Sequence, residues 1–469
     1  MKKLNKIFYD NEWRISSSNK YFKSNTFNSK KIFYYPECNK LDIQRTILSA
    51  KRGFQYNKKL NLIERKKFIF KIYNQIKKNY KKIAKVESLE TGKNISDAEK
   101  EILHSANIWL FAFKSLKNNN SKLKLSKQHN GHIIYEPVGI VSLIIPWNFP
   151  FVVLSERLPF ILGSGNSVII KPSEFASQSM IYFMNIIKKI NFPIGIINLI
   201  TGSGPKVGSY LTKNKDINMV SFTGSTKVGK KIIRNSSKNI KRLSLELGGK
   251  NSIIVLADAD LDKTINILIN SFTGNAGQSC VSTSRLLVDI KIKDKLIKKL
   301  INRLTKIKNF KKIYGFISTR FQYNFIKKSI QDNNRYNNNI IYGQENFKHK
   351  NFISPIIFKD LPQNHIFNKK ELFGPILSIN SFENENQAIN ISNSTKYGLS
   401  AVICSRDKKK SFKIAERLNS GRIWINESVK INYPSLPIGG YKESGFNRES
   451  GTEGFRTYSE IKTIIYNKN

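Results

Sequence analysis

The chain has 469 residues, 40% of them hydrophobic, enough for roughly three domains or lobes, and no apolar run reaches the roughly 18 residues of a membrane-spanning helix. Its three cysteines, Cys38, Cys280 and Cys404, argue against a disulfide framework and for a reducing compartment. The net charge of +47 does not mark a nucleic-acid binder, because the lysines recur on nearly every predicted helix, as at Lys66-Lys67, Lys188-Lys189 and Lys298-Lys299, instead of gathering on one face; it reads as compositional drift toward Lys, Asn and Ile.

The N-terminus is basic, but no apolar segment of signal-peptide length follows it. Ile7 to Trp13 reads as a first strand and turn. Residues 42–117 read as helices: Phe68, Ile72, Ile76 and Tyr80 recur every four positions, and Gly92 is placed to cap. Residues 121–137 carry a hairpin signal, with Leu123 and Leu125 alternating with polar residues and Asn130-Gly131 as the expected tight turn.

From residue 138 the pattern alternates strand and helix, with strands expected at 139–145, 167–170, 196–200, 219–222 and 243–246. That spacing predicts a parallel sheet covered by helices. Three loops follow its strands: Pro146-Trp147-Asn148-Phe149-Pro150, Lys171-Pro172-Ser173-Glu174, and Gly224-Ser225 running on to Gly229. Ligands of open α/β sheets bind at the carboxyl ends of strands, so the three loops can meet at one cleft. Gly202-Ser203-Gly204-Pro205-Lys206-Val207-Gly208 nearly matches a dinucleotide fingerprint, but its last glycine falls one position late, and it reads as a turn and helix start. A second α/β lobe is expected from 251, with strands at 252–256 and 285–288 and a helix at 291–306; the tail 457–466 reads as a strand.

Between the two lobes lie Glu246-Leu247-Gly248-Gly249-Lys250 and Gly277-Gln278-Ser279-Cys280, with the carboxylate and thiol 34 residues apart (280 − 246). A thiolate is a strong nucleophile, and a carboxylate can deprotonate water or the thiol. Alone, such a pair is more often a solvated Glu and a small buried Cys. The two strings at this spacing, however, resemble the aldehyde dehydrogenase superfamily. The three sheet loops, Glu371-Leu372-Phe373-Gly374-Pro375 and Gly439-Gly440-Tyr441-Lys442-Glu443-Ser444-Gly445 extend the resemblance over nearly the whole chain. Residues 306–352 fit it worst, with Lys, Asn and Ile in place of expected glycines and prolines. Asn447 stands where the family usually has Gly, so a locally adjusted loop is expected there.

The resemblance implies an α/β fold of three parts: a Rossmann-like parallel-sheet NAD-binding domain (1–120 and 138–247), a second α/β catalytic domain (248–448), and a small β oligomerisation extension (121–137 and 449–469). It implies an oxidoreductase in which Cys280 attacks an aldehyde, Asn148 and the Cys280 N–H hold the oxyanion, hydride leaves for the nicotinamide, and Glu246 activates the hydrolytic water. Trp147, Lys171, Glu174, Gly224, Ser225, Gly229, Glu371 and Phe373 would bind the cofactor, with Glu174 favouring NAD over NADP. Phe149 and Glu156 would line the substrate tunnel. If Glu156 faces that tunnel, a cationic substrate, such as an aminoaldehyde or betaine aldehyde, is expected; if it turns away to pair with Arg157 or a lysine, a general or semialdehyde-type enzyme is. A homodimer or tetramer in the cytoplasm is expected, with no metal and no nucleic-acid or membrane partner. An acylating dehydrogenase using coenzyme A, and a basic nucleic-acid-binding protein on a decayed enzyme fold, are the competing readings.

Overall fold

The computed structural model describes residues 2–24, 33–343, 347 and 351–468. Three long helices, Lys40–Lys59, Leu62–Thr91 and Ile95–Ser115, occupy the stretch expected to be helical. Asn39, Asn61 and Asn94 cap their N-termini, the first two in capping boxes with Asp42 and Glu64. Gly92 ends the second helix at φ 78°, donating its N–H to Ser88 O. Ile69, Ile72, Ile76 and Ile83 are buried along that helix, with Phe68 and Tyr80 packed at the margin of the same core.

The helices cover an eight-stranded sheet. Its order is Gly445–Phe446, Arg242–Glu246, Met219–Thr223, Ile140–Ile144, Ser167–Lys171, Ile197–Leu199, Lys6–Tyr9 and Glu12–Ile15. The five strands between Ile140 and Glu246 are mutually parallel, and the chain runs outward from Ile140–Ile144 in both directions. The order therefore reverses between Ile140–Ile144 and Met219–Thr223, and the crevice beyond their carboxyl ends is where a dinucleotide fold binds its ligand. The second sheet runs Ile340–Tyr342, Ile356–Lys359, Ile376–Phe382, Thr283–Asp289, Asn251–Val255, Ser400–Cys404 and Arg422–Ile425, parallel except for the first strand.

Three strand pairings add to the sequence-based reading, and the second corrects it. Gly445–Phe446 falls within the 248–448 segment, yet it pairs antiparallel with Leu245 and Glu246 of the first sheet. A Cβ on Gly445 would lie 1.9 Å from Leu245 O, so the close approach requires glycine. In the hairpin, Asn130 and Gly131 lie inside the strand His129–Pro137, opposite Lys124 and Leu123. The reversal comes earlier, where Ser126 Oγ accepts from the N–H groups of Gln128 and His129 and makes the turn itself. The C-terminal strand Ser459–Asn467 pairs with His129–Pro137 of its own chain and leaves its outer edge open, with Ile461 and Ile465 64% and 65% exposed.

The divergent 306–352 stretch folds as the helices Phe310–Tyr314 and Arg320–Gln331 and the strand Ile340–Tyr342; residues 344–346 and 348–350 lie outside the described residues. Its isoleucines replace the lost punctuation with packing: Ile317, Ile326 and Ile330 join Ile353 and Ile356 in one cluster. Asn447 adopts φ 72°, a left-handed conformation that Asn tolerates better than most residues. Its amide donates to Leu243 O at 2.5 Å, so the loop keeps a glycine-like backbone.

Candidate active site

The loop bearing Cys280 follows the helix Leu261–Thr273 through three residues of positive φ, Asn275 (51°), Ala276 (54°) and Gly277 (72°). A Cβ on Gly277 would lie 2.2 Å from the backbone of Gly374, so the loop can close here only with glycine. Gln278 is fully buried and bonded at both ends of its amide. Its Nε2 donates to Asn275 O (2.9 Å) and Phe316 O (3.0 Å), and its Oε1 accepts from Ser318 N (2.8 Å). From the other side Asn251 Nδ2 donates to Cys280 O (2.7 Å) and Ser282 O (3.0 Å), while its Oδ1 accepts from Ser400 N (3.0 Å). The backbone carrying the thiol is thus held from two sheets and a helix start.

Asn148 ends the loop after the first parallel strand. Its Nδ2 donates to Gln278 O at 3.0 Å, and its own carbonyl accepts from Asn275 Nδ2 at 3.2 Å. An amide nitrogen carries two hydrogens, so one remains for a ligand. The Cys280 N–H makes no hydrogen bond among the described residues.

Glu246 is the last residue of its strand, in register with Thr223. It is buried, and its Oε1 has no hydrogen-bond partner among the described residues. Burial pushes its carboxyl up to about 8; the Arg157 guanidinium opposes this, and Glu449 and Glu156 reinforce it. Burial also pushes the Cys280 thiol up to about 12, with Glu246, Glu371 and Glu156 adding to the effect. In this state the thiol holds its proton, and a base is needed to remove it.

Cys280 and Glu246 open onto one cavity of about 310 Å³. Phe149, Val152, Val153, Glu156 and Arg157 form one wall, and Arg422, Val429, Lys430 and Ile438 another. Asp97, Lys100, Glu101 and His104 form a third; their spacing puts them on one face of the helix Ile95–Ser115. Glu156 does both things the sequence left as alternatives. It lines the cavity, and its Oε2 accepts from Arg157 Nη1 at 3.2 Å. Arg157 also lies 3.8 Å from Glu449, a buried carboxylate that accepts from Ser221, Ser244 and Tyr458. Lys93 is buried between Glu87 and Glu101, with its Nζ 4.4 Å from the centroid of the Phe149 ring.

The cofactor candidates lie along the switch-point crevice. Ser225 caps the helix Thr226–Ser237, its Oγ accepting from Val228 N, and leaves that helix N-terminus facing the crevice. A Cβ on Gly229 would press to 2.7 Å from Leu247, so glycine lets this helix pack against the chain after Glu246. A Cβ on Gly224 would meet the Phe222 ring at 2.4 Å. The Lys171 side chain is buried, donates to Pro172 O and lies 3.7 Å from Glu174, whose Oε1 accepts from Gly204 N. The rings of Trp147 and Phe373 meet edge to face at 5.5 Å. Glu371 turns inward, its Oε1 accepting from Gly249 N at 3.0 Å, and burial raises its carboxyl to about 7. Gln322, in the divergent stretch, donates to Leu372 O and Phe373 O and so holds this loop.

A thiol and a carboxylate with a free oxygen thus share a cavity beside a dinucleotide-type crevice, an arrangement able to support covalent chemistry at the cysteine. The aldehyde dehydrogenase family model matches residues 13–464, and the chain belongs to that family. A betaine aldehyde dehydrogenase of Bacillus subtilis (strain 168) is 32% identical over 98% of this chain and 97% of its own length. Aldehyde dehydrogenase 1A1 of Oryctolagus cuniculus is 32% identical over 98% and 95%. Among solved structures, an NAD-dependent aldehyde dehydrogenase from Sinorhizobium meliloti superposes with a TM-score of 0.95 at 31% identity, covering 100% of this chain and 95% of that one. A betaine aldehyde dehydrogenase from Staphylococcus aureus, in complex with NAD+, gives 0.94 at 31%, covering 99% and 98%. The relatives and the fold are those of NAD-dependent aldehyde dehydrogenases.

Proposed function

We propose that this enzyme oxidises a short aldehyde to its carboxylic acid with NAD. The observation that carries the reading is the single cavity onto which Cys280 and the free oxygen of Glu246 both open. Cys280 Sγ adds to the aldehyde carbon as its proton passes to solvent. The oxyanion formed takes the spare hydrogen of Asn148 and the free N–H of Cys280, donors of the kind whose loss costs roughly 2.7–4 kcal/mol in the barrier. NAD held in the crevice would supply the hydride acceptor, and loss of hydride from the carbon on Cys280 would leave a thioester there. Glu246 then takes a proton from water as the water adds to the thioester carbonyl, and Cys280 leaves as thiolate. An acylating enzyme would use coenzyme A in place of that water; formation of NADH and acid without coenzyme A separates the two.

The crevice suits the cofactor. The helix N-terminus behind Ser225 would meet the pyrophosphate, Lys171 and Glu174 the adenosine ribose, Glu371 the nicotinamide ribose, and Trp147 and Phe373 the nicotinamide. The Glu174 carboxylate is partly exposed and accepts ribose hydroxyls while repelling a 2′-phosphate. The expected result is a higher kcat/KM with NAD than with NADP, and a smaller difference in Glu174→Gln; a clear NADP preference contradicts it.

The domain roles follow: the first sheet and its helices hold NAD, the second lobe supplies Cys280, and the 121–137 hairpin with the C-terminal strand joins subunits. The open edge of Ser459–Asn467 would be satisfied by a second copy. A homodimer or tetramer is the expected result of light scattering at micromolar concentration, and a monomer contradicts it. A reducing cytoplasm suits the free Cys280; among the described residues no helix is long and apolar enough to cross a membrane.

A cationic aldehyde, such as an aminoaldehyde or betaine aldehyde, is a second reading of the substrate. It is favoured by Glu156 on the cavity wall and by the names of two of the relatives. Against it, the Glu156 charge is already matched by Arg157, and the Phe149 ring on the wall is covered by Lys93.

A further inference from the structure

Two groups on the cavity wall are left short of partners. Arg422 begins the edge strand Arg422–Ile425 and lines the cavity. Among the described residues it has no ion pair. Its single side-chain hydrogen bond is a long one, Nη2 to Pro437 O at 3.5 Å; it lies 5.4 Å from the centroid of the Trp424 ring, and the Glu156 and Glu246 carboxylates attract it from beyond ion-pair distance. On the facing helix, His104 lines the same cavity, and its Nε2 is buried with no hydrogen-bond partner. Glu156 accepts its hydrogen bond from Arg157, and Glu246 Oε1 has no partner among the described residues, so neither carboxylate bonds the guanidinium. Desolvated donors without acceptors cost free energy that a ligand bearing acceptors recovers. A guanidinium presents a planar fork that suits a carboxylate in particular.

We propose that Arg422 and His104 are specificity-determining residues that receive the far end of the substrate, and that this end is a carboxylate. The inference rests on the aldehyde-oxidising reading of the same cavity. It makes the preferred substrate a short ω-carboxylated aldehyde, with the aldehyde carbon at Cys280 and the carboxylate between the guanidinium and the imidazole. Arg157 cannot serve in place of Arg422, because Glu156 and Glu449 already share its charge.

Three four-carbon aldehydes isolate the effect of the tail: succinic semialdehyde, butyraldehyde and 4-aminobutyraldehyde, compared by kcat/KM for NADH formation. The expected order is the carboxylated, then the uncharged, then the cationic aldehyde. Arg422→Gln is expected to lower the ratio of succinic semialdehyde to butyraldehyde at least tenfold, chiefly through KM, and Arg422→Lys to restore part of it. His104→Leu acts from the opposite wall and is expected to lower the same ratio, which keeps the test decisive if loss of the Trp424 contact unfolds the arginine variants. An unmodified enzyme that uses 4-aminobutyraldehyde as well as succinic semialdehyde, or a ratio unmoved in folded variants, overturns the proposal while leaving aldehyde oxidation intact. No NADH from any of the three overturns the aldehyde-oxidising reading itself.

Discussion

Replacing Cys280 by Ser is expected to abolish aldehyde oxidation, by a factor on the order of 10⁴ or more, while NAD still binds. In the proposed mechanism the thiol forms the covalent bond. The cofactor crevice is built from other elements: the carboxyl ends of Ile140–Ile144 and Met219–Thr223 and the capped helix Thr226–Ser237. The Asn251 and Gln278 bonds act on backbone and neighbours and not on sulfur, so they hold a serine at this position equally well. The loop should therefore keep its shape, and the loss is one of nucleophilicity. Steady-state NADH formation and NAD titration by fluorescence check the two halves of the statement. Near-normal turnover in the variant contradicts the covalent mechanism.

Glu246→Gln is expected to release a burst of about one NADH per active site and then stall, because acylation precedes the step that needs the base. The pH dependence gives a second reading of the same residue. A carboxyl raised to about 8 by burial is mostly protonated, and so inactive as a base, below that pH. Where hydrolysis limits the rate, kcat should rise about tenfold per pH unit below 8 and level off above it. A base with an ordinary carboxylate pKa would give a flat profile from pH 6 to 9. Steady turnover without burst and stall in the glutamine variant, or that flat profile in the unmodified enzyme, counts against Glu246.

Much of this was legible in the sequence because the informative signals are local. The alternation of strand and helix from residue 138 corresponds to the observed parallel strands, with boundaries off by a residue or two. The glycines at 229 and 277 mark close approaches that only a missing Cβ allows. What escaped is what depends on distant partners. Asn251 looks like any residue after Lys250 until Cys280 and Ser400 fold onto its amide. Glu449 and Arg157 lie far apart in sequence and meet only beneath the cavity. The polar face of the helix Ile95–Ser115, with Asp97, Lys100, Glu101 and His104, can be counted from its period, but in a chain this rich in charge nothing in the sequence separates it from a solvated face. Asn130-Gly131 is a strong turn dipeptide, yet the serine turn at Ser126 reverses the chain before it. Glu156 was posed as facing the tunnel or pairing with Arg157, whereas a carboxylate with two oxygens does both.

The claim on which the rest depends is that an acyl group passes through Cys280 and waits there for Glu246. Intact-protein and peptide mass spectrometry of the Glu246→Gln variant, quenched in acid after mixing with an aldehyde and NAD, tests it most directly. The expected result is a mass increase equal to one acyl group, confined to the peptide containing Cys280 and absent from those of the buried Cys38 and Cys404. NADH formation with no adduct on Cys280 would contradict it.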